Sequence, residues 1–183
     1  LEIGSNGGNI TSFYIDDVVV KEFDDDRSAK NNGIEVFGTI TKEPVATGAE
    51  LVAYGPFSGS NFLRQPPNSN MNIGTGDAYE IIWFKTTNSS DTMMLISYEG
   101  GANGTTDYGK PFNIRYESGV VRGWASHNAF STYDDVSHGT STSDGKWHCA
   151  AWVKRGQVFE LYVDGKFSGS DTSAVGSNAL RYN

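Results

Sequence analysis

A chain of 183 residues has room for one medium domain and part of another, and 22 glycines with 13% aromatic residues favour short strands joined by tight turns. A formal charge of −8 opposes contact with nucleic acid backbones and anionic membranes, and no apolar run is long enough to span a bilayer, so neither nucleic acid nor membrane insertion is expected. No window keeps a 3.6-residue apolar period, which leaves little or no helix to expect, and the single cysteine, Cys149, has no partner for an internal disulfide.

In chain order, Leu1-Glu2-Ile3-Gly4 is strand-like, residues 5–9 are a glycine- and asparagine-rich turn, and residues 13–22 (FYIDDVVVKE) form a second strand. This text resembles the closing strands of a jelly-roll carbohydrate-binding module, which implies that residues 1–22 finish a preceding β-sandwich. The opening at Leu1, inside a strand-like segment, fits an excerpt from a longer polypeptide. Residues 23–33 (FDDDRSAKNNG) read as a solvated linker. Their three consecutive aspartates alternate in direction along an extended chain, whereas calcium loops place ligands at every second position.

A second domain is expected over residues 34–183, with strands at 35–39, 51–54, 61–65, 78–86, 92–98, 111–117, 120–126, 146–154 and 159–163. The segment 144–169 (DGKWHCAAWVKRGQVFELYVDGKFSG) is its clearest part. Asp144-Gly145 opens a strand in which His148, Ala150 and Trp152 share one face and Trp147, Cys149, Ala151 and Val153 the other. Both faces are largely apolar, so burial on both sides is expected, with Cys149 as a small buried hydrophobe. Residues 154–157 turn the chain. Phe159, Leu161 and Val163 then line one face of the return strand, and Asp164-Gly165 makes a tight hairpin turn.

This pattern of turn, Trp-His, apolar strand, turn and Leu-Tyr-Val-Asp-Gly resembles the core of laminin-G-like domains, as does Gly74-Thr75-Gly76-Asp77 leading into a long strand. The resemblance covers residues 34–183 and implies an all-β fold, an antiparallel β-sandwich of the jelly-roll, concanavalin A-like kind. It departs from the family after Asn178-Ala179-Leu180, where two closing strands normally follow.

The superfamily so implied includes β-glucan-cleaving enzymes, whose paired carboxylates sit on one strand face about 5 Å apart. No such spacing falls on a predicted strand: Glu80, Glu99, Glu117 and Glu160 stand alone, and His127, His138 and His148 lie in different elements. A non-enzyme is therefore expected. Laminin-G-like domains often hold calcium at the sandwich rim, which makes Asp107, Asp134 and Asp135, in two acid-bearing loops, the candidate ligands for calcium. A sugar site needs an aromatic platform beside amides and carboxylates. Trp124 follows Val120 and Arg122 at period two and reads as core, whereas Phe130, Tyr133, Asp134 and Asp135 read as the ligand-binding candidates.

A carbohydrate-binding-module tail followed by a laminin-G-like domain is similar in layout to phage tail fibres. That resemblance implies a virion appendage, trimeric, in contact with other virion proteins and adhering to host-surface glycans. Two further readings stay open on the sequence: an extracellular or surface-anchored bacterial polysaccharide-binding module, and a purely structural virion spacer or head decoration.

Overall fold

The computed structural model describes residues 33–66, 75–98, 112–127 and 132–172, so the segments 1–32, 67–74, 99–111, 128–131 and 173–183 lie outside the account that follows. The chain divides into two compact units between Pro66 and Pro67. Among the described residues every regular element is a β-strand and every pairing is antiparallel. The all-β expectation holds. No helix of the described residues is long and apolar enough to cross a membrane.

The first unit contains β1 (Glu35–Phe37), β2 (Thr41–Pro44), β3 (Val52–Gly55) and β4 (Phe62–Arg64). β1 pairs with β4 and β2 with β3. In the first ladder Phe37 stacks on Phe62 with ring centres 4.5 Å apart, and the Arg64 guanidinium covers the Phe37 ring while its Nε donates to Glu35 Oε2 at 2.9 Å.

The second unit contains β5 (Ala78–Lys85), β6 (Thr92–Tyr98), β7 (Phe112–Glu117), β8 (Val120–His127), β9 (Thr132–Ser137), β10 (Trp147–Arg155), β11 (Val158–Val163) and β12 (Lys166–Asp171). They form two four-stranded sheets, in the orders β12-β11-β10-β5 and β6-β7-β8-β9. β5 faces β6, β10 faces β7, β11 faces β8 and β12 faces β9, which makes a sandwich. Strand alternation sends Phe84, Phe112, Ile114, Tyr116, Val121, Ala125, Val136, Ala150, Trp152, Phe159, Leu161 and Val163 into its interior. At the centre Trp152, Phe112 and Phe159 form a three-ring cluster, with ring centres 6.2 Å apart for Trp152–Phe112, 5.4 Å for Trp152–Phe159 and 6.1 Å for Phe112–Phe159. The Asp164-Gly165 turn forms as expected: both residues take positive φ, 50° and 74°, the backbone of a type I′ hairpin.

Three strands were not expected from the sequence: β2, β9 and β12. The expectation of two-sided burial for β10 is also corrected. Only the face carrying Ala150, Trp152 and Lys154 is fully buried. Lys154, expected where the strand meets the turn, lies within the strand and is buried in the sandwich. Its Nζ donates to the carbonyls of Thr75 and Gly76 at 2.9 and 2.8 Å, which ties the entry to β5 to the end of β10. Burial lowers its pKa, against the pull of Asp77.

Cys149 lies on the other face of β10 and is half-buried. Burial first, and the Asp164 carboxylate second, push its thiol pKa up, which disfavours the nucleophilic thiolate. Cys149→Ser is therefore expected to change stability by no more than about 0.5 kcal/mol, as for an ordinary surface substitution. Urea titration of the two proteins checks this; a loss above about 1 kcal/mol, the scale of an unsatisfied buried hydroxyl, would show that the position is sealed from water.

Candidate functional site

The sequence-predicted site does not assemble as expected. Phe130 and Asp107 lie outside the described residues. Tyr133, Asp134 and Asp135 belong to β9 rather than to a loop, so neighbouring side chains leave on opposite faces of the sheet. Asp134 is fully buried. Asp135 faces outward and is gripped at both oxygens by Arg122, with Nε to Oδ1 at 3.1 Å and Nη2 to Oδ2. Arg122 Nη1 also reaches Glu117 Oε2 at 2.9 Å, and Arg115 reaches the same oxygen at 3.2 Å. Asp134 and Asp135 therefore do not converge on one ion, and among the described residues no group of three His, Cys, Asp or Glu is placed to hold a metal.

On the same outer face Trp124 is buried, but outside the core cluster to which its period-two spacing assigned it, with the Arg115 guanidinium 5.3 Å from its ring centre. Tyr133 stands 6.3 Å from Trp124 and is exposed. The described polar groups around it are already committed to one another, which leaves, among the described residues of this face, a single exposed aromatic ring to offer a ligand.

The opposite sheet presents a different surface. β5 alternates so that Ala78, Glu80, Ile82 and Phe84 face the interior, while Tyr79, Ile81 and Trp83 face outward with 73%, 54% and 66% of their surface exposed. Tyr79 and Trp83 are four strand steps apart, a span of about 13 Å. Cross-strand register places Trp83 beside Cys149, Ile81 beside Ala151 and Tyr79 beside Val153. Ala151 in turn lies beside Tyr162, and Tyr162 beside Phe167, which is 58% exposed. The small Cys149 and Ala151 thus form a floor between the β5 stripe and the Tyr162–Phe167 pair, whose rings meet edge-on at 5.6 Å.

Polar groups rim this face. Tyr162 Oη donates to Glu160 Oε2 at 3.1 Å, and Arg155 Nη1 donates to the same oxygen at 2.8 Å. Asp77, Tyr79, Ile81, Val153 and Arg155 help to line a shallow hollow of about 460 Å³ at one end of the stripe.

The other end is fixed by His148. Its Nδ1 lies 2.8 Å from Asp164 Oδ2 and its Nε2 lies 3.1 Å from Asp144 Oδ1, while Asp164 Oδ1 accepts the Cys149 N–H at 2.9 Å. Burial works against the imidazolium, but the hydrogen bonds to Asp164 and Asp144 outweigh it and hold the His148 pKa above its ordinary value. The Asp144 carboxyl is held down to about 2, first by the Lys146 N–H and then by His148. These groups lock the hairpin turn to the start of β10. They form a structural clamp rather than a base next to a nucleophile.

A family model described as the concanavalin A-like lectin/glucanases superfamily matches residues 67–182. The chain belongs to that superfamily. The matched region begins where the second compact unit begins, so the sandwich is its concanavalin A-like domain. Among solved structures the domain is similar to domains LG4-5 of the mouse laminin alpha1 chain, at 21% identity and a TM-score of 0.48, over 59% of this chain and 26% of that chain. This chain therefore spans about a quarter of the laminin structure it matches. A search of curated proteins finds no match.

The aromatic stripe of this concanavalin A-like domain is not legible in the sequence, where Tyr79 and Trp83 read only as parts of the long strand at 78–86. The available signal was Glu80. A lone carboxylate in an otherwise apolar strand invites the assumption that its face is the wet one, and here the reverse holds.

Proposed function

We propose that the concanavalin A-like domain is a non-catalytic glycan-binding module and that the outer face of β5, β10 and β11 is its binding surface. Membership of a superfamily of lectins and glucanases supports carbohydrate recognition as the general role. The single observation that carries the reading is the exposed Tyr79–Ile81–Trp83 stripe beside a floor of small residues. A pyranose presents one apolar face and a girdle of hydroxyls. The stripe supplies aromatic surface for the former, and Glu160, Arg155 and Asp77 supply hydrogen-bonding groups for the latter. Cleavage would need two carboxyl groups flanking one bond. The nearest carboxylate on this face, Glu160, is instead pinned by Arg155 and Tyr162, which favours holding a sugar over cutting it.

The finer reading is a fibre-like virion appendage that adheres to host-surface glycans. It is supported by the layout of the sequence, a carbohydrate-binding-module-like tail ahead of the laminin-G-like text. Repeated copies in a fibre multiply weak single-site affinity.

A glycan array probed with the multimerised chain, followed by calorimetry on the hits, tests the surface. Trp83→Ala and Tyr79→Ala are each expected to weaken binding roughly tenfold, equivalent to about 1.4 kcal/mol, with unchanged melting curves. Tyr133→Ala on the opposite sheet is expected to have no effect. Binding that survives both β5 substitutions and fails with Tyr133→Ala would move the site to the β7-β8-β9 face.

A further inference from the structure

We propose that His148 is a pH-sensitive latch: as the imidazolium it joins the bend at residues 144–146 to the Asp164-Gly165 hairpin, and on losing its proton it releases that bend, which holds the end of β5 near Trp83. The latch does not depend on the glycan-binding reading above; its effect on binding at Trp83 rests on that reading.

Both ring nitrogens face a carboxylate oxygen, Nδ1 toward Asp164 Oδ2 at 2.8 Å and Nε2 toward Asp144 Oδ1 at 3.1 Å. Only the imidazolium has two N–H donors; the neutral ring has one, and its other nitrogen carries a lone pair. A neutral His148 therefore holds one carboxylate and turns a lone pair on the other. Its side chain is 13% exposed, so little water is at hand to relieve that contact. Asp164 is the partner that stays. It is the nearer, and the Cys149 backbone fixes it twice: Oδ1 accepts the Cys149 N–H at 2.9 Å, and the Asp164 N–H donates to the Cys149 carbonyl at 2.8 Å. Asp144 is the partner that leaves, since Lys146 offers it an N–H at 2.9 Å and an ammonium at 3.3 Å.

The bend governs more than its own residues. Gly145 N–H donates to the Thr86 carbonyl at 3.0 Å and so carries the β5–β10 pairing past its last rung, Lys85↔Trp147. The Asp164–Cys149 bonds carry the β10–β11 pairing past Ala150↔Val163. One imidazolium thus ties together β5, β10 and β11, the strands beneath the aromatic stripe, next to the rung where Trp83 lies beside Cys149. Other described charges reach the ring through its two partners: Lys146 through Asp144, and His138, whose Nδ1 lies 2.9 Å from Ser168 Oγ, through Asp164. From β5 the ring meets Phe84, 5.9 Å between centres, with Tyr116 of β7 behind it. The Cys149 thiol is pushed toward its neutral form by burial and then by Asp164. Asp144, held down to about 2, and Asp164, also lowered, stay charged while the ring titrates. The sign follows from the raised pKa of His148: the latch is complete below the ordinary value of 6.5 and is lost as pH rises through the folded one.

The test is an NMR titration of the full chain from pH 5 to 9 that reads the His148 ring and amide exchange at Gly145, with the Trp152 amide in mid-β10 as the reference for global unfolding. Expected are a ring pKa above 6.5 and a Gly145 opening that is level below 6.5, rises about tenfold per pH unit up to the folded pKa of the ring, and is level again beyond it. Asp144→Asn supplies an amide that can donate to a neutral ring, so Gly145 is expected to stay closed over the whole range. His148→Phe removes the titration, and Gly145 is expected to open at every pH to the parent's high-pH level or beyond. A ring pKa at or below 6.5, a Gly145 opening that only follows Trp152, or an unchanged pH dependence in Asp144→Asn overturns the latch. The affinity of a glycan found on the array is expected to fall roughly twofold or more over the same window in the parent and to stay level in Asp144→Asn, because apparent affinity scales with the competent fraction. A level affinity in the parent while Gly145 opens overturns the hold on Trp83. No glycan bound at any pH, with Gly145 opening as expected, overturns the binding surface and keeps the latch.

Discussion

Gly123→Ala is expected to destabilise the sandwich by about 3 kcal/mol, at the upper end of the usual cost of overpacking a core. Gly123 sits in β8 between Ile114 of β7 and Val136 of β9, with its α-carbon turned toward the facing sheet. A β-carbon there would lie 2.2 Å from Cε3 and 2.4 Å from Cδ2 of Trp152. The indole has nowhere to retreat: it is fully buried and stacked on both Phe112 and Phe159. The backbone φ at Gly123 is not in the left-handed region, so alanine meets no conformational penalty and would, by propensity alone, gain roughly 0.5–1 kcal/mol over glycine in a strand. The cost is therefore steric and belongs to the pair. A double-mutant cycle with Trp152→Phe isolates it: the smaller ring should recover a large part of the loss, giving a coupling of about 1–2 kcal/mol. Chemical denaturation of the four proteins reads this directly. A Gly123→Ala protein as stable as the parent would mean that Trp152 does not fill the space against β8.

The same packing explains which parts of the fold were legible. The order and extent of β5, β6, β7, β8, β10 and β11 follow from apolar alternation and from turn residues such as Asp164-Gly165, because those strands bury one face in the common core. β9 and β12 are held at the opposite edge by pairing with β8 and β11, and their sequences, TYDDVS and KFSGSD, carry acids and serines that read as loop. Partnership across the sheet, not local pattern, makes them strands. The candidate surface was hidden for a related reason. In AYEIIWFK both faces are apolar at almost every position, so period two shows a strand without showing which side is wet. Topology decides it: pairing with β10 turns Glu80 inward beside Trp152 and leaves Trp83 in solvent. The buried Lys154 inverts the pattern in the same way, since its Nζ finds backbone carbonyls that no sequence reading locates.

Glu80 is where that inversion has its largest measurable consequence. Its Oε2 is buried and has no hydrogen-bond partner, and burial pushes its pKa up to about 9 from 4.5. Below pH 4.5 the carboxyl is protonated whether the chain is folded or not, and Glu80 adds no pH dependence. Between 4.5 and about 9 the unfolded chain releases the proton while the folded chain keeps it, so stability falls as pH rises, by about 1.4 kcal/mol per unit. At pH 7 the accumulated loss is about 3 kcal/mol, a value fixed by the unfolded pKa as long as the folded one stays above 7. Glu80→Gln keeps the shape and removes the titration. It is expected to match the parent near pH 4.5 and to exceed its stability by up to about 3 kcal/mol at pH 7. His148 adds a slope of the same sign at higher pH, because its raised folded pKa gives stability that is complete below the unfolded value and lost as pH rises through the folded one. That contribution is common to both proteins and cancels in their difference. Urea titrations of parent and Glu80→Gln at pH 4.5, 6, 7 and 8 provide the measurement. Parallel stability profiles would sink the assignment, and would place the Glu80 carboxylate, charged, in contact with water.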